Sequence, residues 1–159
     1  MSRNNVIKAL ALVFGWVFGL SACSYPKQPA ADQKQQVTEK KTMKVKELTT
    51  EEFKDKVMDF EKHPSEWVFA GQRPALIDFY ATWCGPCKRL APIMEELAED
   101  YCEEVIFYKV DTDKERELAY IFGIRSIPSI LLIPVNGRPQ MIQGLMPKQT
   151  LEQAIFQVL

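Results

Sequence analysis

The sequence is short of the residues that build metal sites and multiple disulfide cross-links. Among its 159 residues there is a single histidine, His63. The four cysteines are unevenly spaced along the chain, at Cys23, Cys84, Cys87 and Cys102. That spacing gives no indication of a small scaffold stapled by several disulfides. A zinc site built from two close cysteine pairs is also disfavoured, because the sequence has only one such pair.

The chain also lacks an excess of charge and a long hydrophobic run. Its formal net charge is −1 at pH 7, from 20 basic and 21 acidic side chains, so we expect no nucleic acid as a partner. Residues 9–20 form an uncharged apolar stretch that is shorter than the ~20 residues of a confident transmembrane helix. With 47% hydrophobic residues, the chain can nevertheless bury the core of one domain.

The first 22 residues have the pattern of a secretory signal peptide. Arg3 and Lys8 precede the apolar stretch, and no acidic residue occurs before Cys23. Residues 20–23, Leu-Ser-Ala-Cys, resemble the lipobox of bacterial lipoproteins, in which the cysteine becomes the lipidated first residue of the mature chain. We therefore expect an extracytoplasmic, periplasmic protein, anchored to a bacterial membrane by lipid on Cys23. An ordinary signal peptide cut before the cysteine and an uncleaved anchor are the alternatives.

Residues 23–42 have the composition of a flexible tether. They are rich in Gln, Lys and Pro and poor in large apolar side chains, so they cannot bury enough surface to fold. A flexible coil of this length spans about 25 Å root-mean-square. We therefore divide the chain into a signal peptide at 1–22, a tether at 23–42 and a folded domain at 43–159.

From residue 43 onward, strand and helix patterns alternate. Alternation predicts a strand at 43–48, and largely apolar runs predict strands at 75–80, 105–110 and 129–133. A hairpin turn at Asn136-Gly137 then predicts a last strand at 140–143. Helical spacing predicts helices from a capping box at Thr49 to about Lys62, after the close cysteine pair, over 115–122 and from Pro147 onward. The order β-α-β-α-β-α-β-β-α predicts an α/β fold with a mixed sheet.

Cys84 and Cys87 lie between a strand-like run and a helical one. Two cysteines separated by two residues can close a disulfide that reopens easily. Unpaired backbone N–H groups and the helix dipole favour an anion at a helix N-terminus, which lowers the pKa of a thiol there. Because the thiolate is the nucleophile of disulfide exchange, redox chemistry is the first hypothesis. Half of a zinc site is the alternative for this pair.

Residues 78–88, Asp-Phe-Tyr-Ala-Thr-Trp-Cys-Gly-Pro-Cys-Lys, resemble the signature of the thioredoxin family. Four distant features agree: Pro92, Lys-Val-Asp at 109–111, Ile-Arg-Ser-Ile-Pro at 124–128, and Gly144 after the hairpin. The resemblance covers the chain from Met43 onward. It implies the thioredoxin fold, a central mixed sheet flanked by helices.

The resemblance assigns the chemistry to Cys84, Cys87, Asp78 and Lys109. Cys84, the first and more exposed cysteine, attacks a substrate disulfide, and Cys87, shielded one turn into the helix, resolves the mixed disulfide. Asp78 is the buried acid that relays a proton from Cys87. The alternative is that Asp78 is simply a residue on a solvated face of its strand. Lys109 matches the lysine near that acid, and its alternative is a lysine whose stem covers a strand end.

The resemblance also implies a shallow apolar rim on which an extended substrate peptide docks. Its members are Trp83, Gly85, Pro86, Ile127, Pro128 and Gly144. Pro128 is expected to be cis, although sequence alone allows an ordinary trans proline. We expect no metal and no cofactor. Cys102 is expected to be a structural cysteine, buried or half-buried, with a regulatory thiol as the alternative.

The first functional hypothesis is a protein-disulfide reductase that acts on exported proteins. In an oxidising compartment it needs a membrane electron donor. The expected partners are therefore disulfide-containing exported proteins, that donor and the membrane, and we expect the protein to be a monomer. The same exchange run as a disulfide oxidase or isomerase is the second hypothesis. The third is a binding module that uses the thioredoxin fold without turnover.

Overall fold

The computed structural model describes residues 44–159. The predicted signal peptide, Cys23 and the predicted tether therefore lie outside the described residues. Within them, the strands are β1 (Lys46–Glu47), β2 (Ala75–Tyr80), β3 (Ile106–Asp111), β4 (Ser129–Ile133) and β5 (Gln140–Gln143). The helices are α1 (Thr50–Lys56), α2 (Gly85–Asp100), α3 (Arg116–Ile121) and α4 (Lys148–Phe156). None of these four helices is both long and apolar enough to cross a bilayer.

The strands form one mixed sheet, as predicted, and their order across the sheet is β1-β3-β2-β4-β5. β1 and β2 pair with β3 in parallel, whereas β4 runs antiparallel to both β2 and β5. One face of the sheet packs on α2 and α4, through residues such as Leu90 and Ile155. The other face packs on α1 and α3, through Phe53 and Leu118. With both faces covered, β2 is buried in the middle, and its carboxyl end leads directly to the cysteine pair.

Helix α1 begins where predicted but ends at Lys56, six residues before the predicted end. Both hydrogen bonds of the Thr49 capping box are present. Beyond Lys56, the Val57 carbonyl accepts from the Ala70 N–H at 2.8 Å, so it is not available to a further helical turn. The Asp59 carboxylate accepts from the N–H groups of residues 61 and 62. Such local side-chain bonds compete with helix, and they override the apolar periodicity of this segment.

The connection between β4 and β5 is longer than a two-residue hairpin turn. It spans residues 134–139, with Gly137 at φ +113°. Pro134 and Pro139 stand at its two ends, and a proline has no N–H to extend the ladder between the strands. The predicted hairpin is thus confirmed as a pair of strands, while its loop is wider than the Asn136-Gly137 motif alone suggests.

Candidate active site

Cys84 is the N-cap residue of α2 and forms a disulfide with Cys87. The Cα atoms of the pair are 5.3 Å apart. The backbone N–H of Cys87 donates to the Sγ of Cys84 at 3.2 Å. Pro86, between them, contributes no N–H of its own. The first turn of α2 therefore directs a backbone donor and the positive end of the helix dipole at one sulfur, which stabilises an anion there when the disulfide is open.

In this disulfide form both cysteines are buried equally, each with 3% of its surface exposed. The expectation that Cys84 is the more exposed of the two is therefore wrong for this state. The reason is that both cysteines belong to one small cluster with Ala81, against which Tyr80 and Ile127 pack. The Sγ of Cys84 lies 3.8 Å from the carbonyl oxygen of Ile127, a residue that the fold brings in from a distant loop.

The residues beside the disulfide are open to solvent. Trp83 is 68% exposed, and Gly85 and Pro86 are exposed as well. The indole Nε1–H of Trp83 donates to the Asp113 carboxylate at 2.8 Å, which fixes the ring at the edge of the site. Asp113 was not predicted as a site residue. It lies in a polar segment after β3, and its contact with Trp83 depends on the course of two loops, so no local pattern pointed to it.

The opposite side of the rim is the segment that leads into β4, together with the residue that follows β5. The Ile127–Pro128 peptide bond is cis, as expected. The Pro128 carbonyl accepts from the Gly144 N–H at 2.8 Å. Gly144 has φ +93°, a conformation that favours glycine. The structure thus brings Ile127, Pro128 and Gly144 together with the cysteine pair, as the resemblance implied.

Asp78 lies in the middle of β2 with 5% of its surface exposed, which excludes a solvated strand face. Strand alternation places it on the same face as Leu76, the face that α2 covers. Burial raises the pKa of Asp78 from its ordinary 3.8 to about 7, while the positive charge of Lys109 pulls that pKa down. Within residues 44–159, Asp78 Oδ1 has no hydrogen-bond partner. A carboxyl in this state can take up or release a proton near neutral pH.

Lys109 is the register neighbour of Asp78 in β3. Its Nζ lies 5.8 Å from the centroid of the Tyr80 ring, and the side chain is half-buried. Its stem thus covers the end of the strand while its charge acts on Asp78. The geometry fits both a lysine that acts on the buried acid and a lysine whose stem covers a strand end. A part for Lys109 in catalysis stays a prediction.

Cys102 and His63 lie apart from this site. Cys102 is free and half-buried just after α2, as expected, and its carbonyl accepts from the Arg73 guanidinium at 3.0 Å. His63 lies in the loop between α1 and β2, with its Nδ1 3.5 Å from the Glu66 carboxylate. Across residues 44–159, no three or more His, Cys, Asp or Glu side chains are grouped so that they could hold a metal ion.

Comparison with known proteins decides the family. The family model described as Thioredoxin matches residues 44–157. The chain belongs to the thioredoxin family. A thioredoxin of Borreliella burgdorferi is 50% identical over 108 residues, which cover 68% of this chain and 92% of that protein. Thioredoxin 1 of Nostoc sp. is 35% identical over 109 residues, which cover 69% of this chain and 92% of that protein.

More distant thioredoxins agree. The chloroplastic M-type thioredoxin of Pisum sativum is 41% identical over 90 residues, but this chain spans only 52% of its length. The crystal structure of chloroplastic thioredoxin z superposes with a TM-score of 0.59 at 26% identity, covering 72% of this chain and 94% of that one. The predicted thioredoxin fold is confirmed. As a thioredoxin, the protein is a thiol–disulfide oxidoreductase with Cys84 and Cys87 as its close cysteine pair.

Proposed function

We propose that this thioredoxin reduces disulfides of exported proteins while lipid on Cys23 anchors it to a bacterial membrane. The observation that carries the chemistry is the position of Cys84 at the N-cap of α2, with the Cys87 N–H 3.2 Å from its sulfur. The anchor and the compartment rest on the sequence of residues 1–23. The direction of exchange rests on the resemblance of the Gly85-Pro86 and Ile127-Pro128 segments to reducing thioredoxins.

The reaction begins from the dithiol form. The Cys84 thiolate attacks one sulfur of the substrate disulfide, the substrate S–S bond breaks, and the other substrate sulfur leaves as a thiolate that takes up a proton. Cys87 then attacks the Cys84 sulfur, and the second substrate sulfur leaves. The substrate gains two electrons and two protons, and the enzyme keeps the Cys84–Cys87 disulfide. A membrane electron donor returns the enzyme to the dithiol.

The Asp78 carboxylate is the proton acceptor in the second step, the attack of Cys87 on the mixed disulfide. Cys87 must lose its proton before it can attack, and the position is shielded from solvent. Asp78 lies on the strand face that α2 covers, and burial raises its pKa to about 7. A general base is most effective when its pKa lies near the working pH, so the Asp78 carboxylate suits a reaction at neutral pH. Lys109 acts through Asp78, by lowering that pKa, and is a positioning residue.

The path of the chain into the domain supports the tethered arrangement. The Val45 N–H donates to the Glu95 carboxylate at 3.1 Å. Glu95 lies ten residues beyond Gly85 along α2, which is about 15 Å of helix rise. The chain thus enters the domain well away from the disulfide. A tether attached there leaves the rim around Cys84 open to a substrate protein.

Mixed-disulfide trapping tests the proposal. In cells, the Cys87→Ser variant should accumulate mixed disulfides with exported proteins and with the donor, all in the membrane fraction. Cys84→Ser is the matched control and should trap none. Cys23→Ala should release the protein from the membrane. Trapped partners that are all cytoplasmic would contradict the proposal.

The reduction potential tests the direction of exchange. The proposal predicts a value near that of thioredoxin, about −270 mV. A value near about −120 mV, as in strong periplasmic oxidants, would overturn the reductase assignment in favour of an oxidase.

A further inference from the structure

A small apolar cavity adjoins the rim of the active site. It has a volume of about 290 Å³ and is lined by Arg89, Ile93, Leu145, Met146 and Pro147. Arg89 lies two residues beyond Cys87 on α2, and Leu145 follows Gly144 directly. Because the Gly144 N–H is bonded to the Pro128 carbonyl, the Leu145 side of the cavity is held against the rim. Leu145 is itself 38% exposed, so an apolar side chain lines the opening of the cavity to solvent.

The same end of the molecule carries three exposed basic side chains. Lys88, Arg89 and Arg125 are exposed, and none forms an ion pair with another of the described residues. Arg125 lies two residues before Ile127, the residue whose carbonyl oxygen is 3.8 Å from the Cys84 sulfur. By contrast, residues 44–159 as a whole carry 14 basic and 19 acidic side chains, a net charge of −5. Three positive charges of an acidic domain thus lie close in sequence to residues of the site, whereas the Asp113 carboxylate at its edge accepts from the Trp83 indole.

We propose that Arg89, Arg125 and Leu145 set a substrate preference, for disulfides flanked by an acidic and an apolar side chain. The apolar side chain of the substrate enters the cavity beside Leu145, and the acidic one faces Arg89 and Arg125. Charge complementarity at an exposed rim acts mainly on the rate of productive encounter. This inference rests on the proposed reductase function, because it names the substrates of that site.

The test uses four short peptides, each with one disulfide and identical except for two residues beside a cysteine: Glu-Leu, Lys-Leu, Glu-Ser and Gln-Ser. The reduced full chain is mixed with each peptide in a single turnover, and the second-order rate constant is measured at low and high salt. We expect Glu-Leu to react on the order of tenfold faster than Lys-Leu at low salt. The difference should shrink at 1 M salt, where the Debye length is about 3 Å.

Variants assign the preference to its residues. Arg89→Glu and Arg125→Glu should each reduce or reverse the Glu-over-Lys preference. Leu145→Ser should remove the preference for Glu-Leu over Glu-Ser and leave the Glu-over-Lys preference intact. The matched control is Arg138→Glu, an exposed arginine in the β4–β5 loop at the far end of the sheet, which should change neither preference.

The test distinguishes failure of the substrate preference from failure of the proposed function. If the chain reduces all four peptides at equal rates, or if Arg138→Glu acts as strongly as Arg89→Glu, the substrate preference is refuted while the reductase function stands. If the reduced chain reduces none of the peptides, the proposed function itself is refuted.

Discussion

Replacing Asp78 by asparagine should raise the stability of the protein relative to the wild type as the pH rises from acid to alkaline. Burial raises the pKa of Asp78 to about 7 in the folded protein, from an ordinary 3.8 in the unfolded chain. Between these values the folded state binds more protons than the unfolded state, so the free energy of unfolding falls as the pH rises. A shift of 7 − 3.8 ≈ 3 units corresponds to a loss on the order of 4 kcal/mol, complete above pH 7.

Asparagine has nearly the same shape and no charge to bury. Its buried amide carries a cost of its own, but that cost does not vary with pH. The quantity to follow is therefore the difference in unfolding free energy between the Asp78→Asn variant and the wild type. We expect it to grow in favour of the variant by on the order of 4 kcal/mol between pH 4 and pH 8.

Urea unfolding with the Cys84–Cys87 disulfide intact measures this difference at each pH. Asp55→Asn, which replaces an exposed carboxylate on α1, is the matched control and should not reproduce this growth. A difference for Asp78→Asn that is flat from pH 4 to pH 8 would refute the assignment of Asp78 as a buried carboxyl that titrates near neutrality.

Three further predictions concern neighbouring parts of the structure. Lys109→Met removes the charge that lowers the pKa of Asp78, so the pH at which mixed-disulfide resolution is half-maximal should rise in stopped-flow assays; an unchanged midpoint would contradict the coupling. Phe53→Ala empties a fully buried site between aromatic rings and should cost about 3–5 kcal/mol in urea unfolding. Tyr120→Ala, at an 87% exposed site, should cost under about 0.5 kcal/mol. Equal losses of unfolding free energy in the two variants would contradict the burial of Phe53. The Cβ that Gly144→Ala adds meets no atom within 4 Å, but the backbone there has φ +93°. This variant should lose about 1–2 kcal/mol of stability through backbone strain alone, and no loss by calorimetry would exclude that strain.

Strands bounded by proline were predictable to the residue. β2, β4 and β5 occupy the predicted residues, and Pro74, Pro128 and Pro139 directly precede them. Each begins directly after a residue without an N–H, so its start is fixed locally. The start of α1 at Thr49 was predictable for the same reason, since a capping box is complete within four residues.

Features that depend on distant contacts were not predictable. The end of α1 is set by a hydrogen bond between Val57 and Ala70, and no periodicity reveals it. The equal burial of Cys84 and Cys87 depends on Ile127, which packs against the pair from a separate loop. Asp78, in contrast, was detectable, because a lone acid in an apolar strand is an anomaly at the level of sequence.

The proposed function depends on an N-terminus of α2 that keeps the Cys84 sulfur ionised and reactive near neutral pH. Alkylation of the reduced full chain by iodoacetamide over a range of pH, with each cysteine quantified by mass spectrometry, tests it most directly. The account predicts that Cys84 is labelled before Cys87 and Cys102, and that its rate is half-maximal well below the ordinary thiol value of about 8.5. A Cys84 that reacts at pH 7 no faster than Cys102, with a midpoint near that ordinary value, would contradict it.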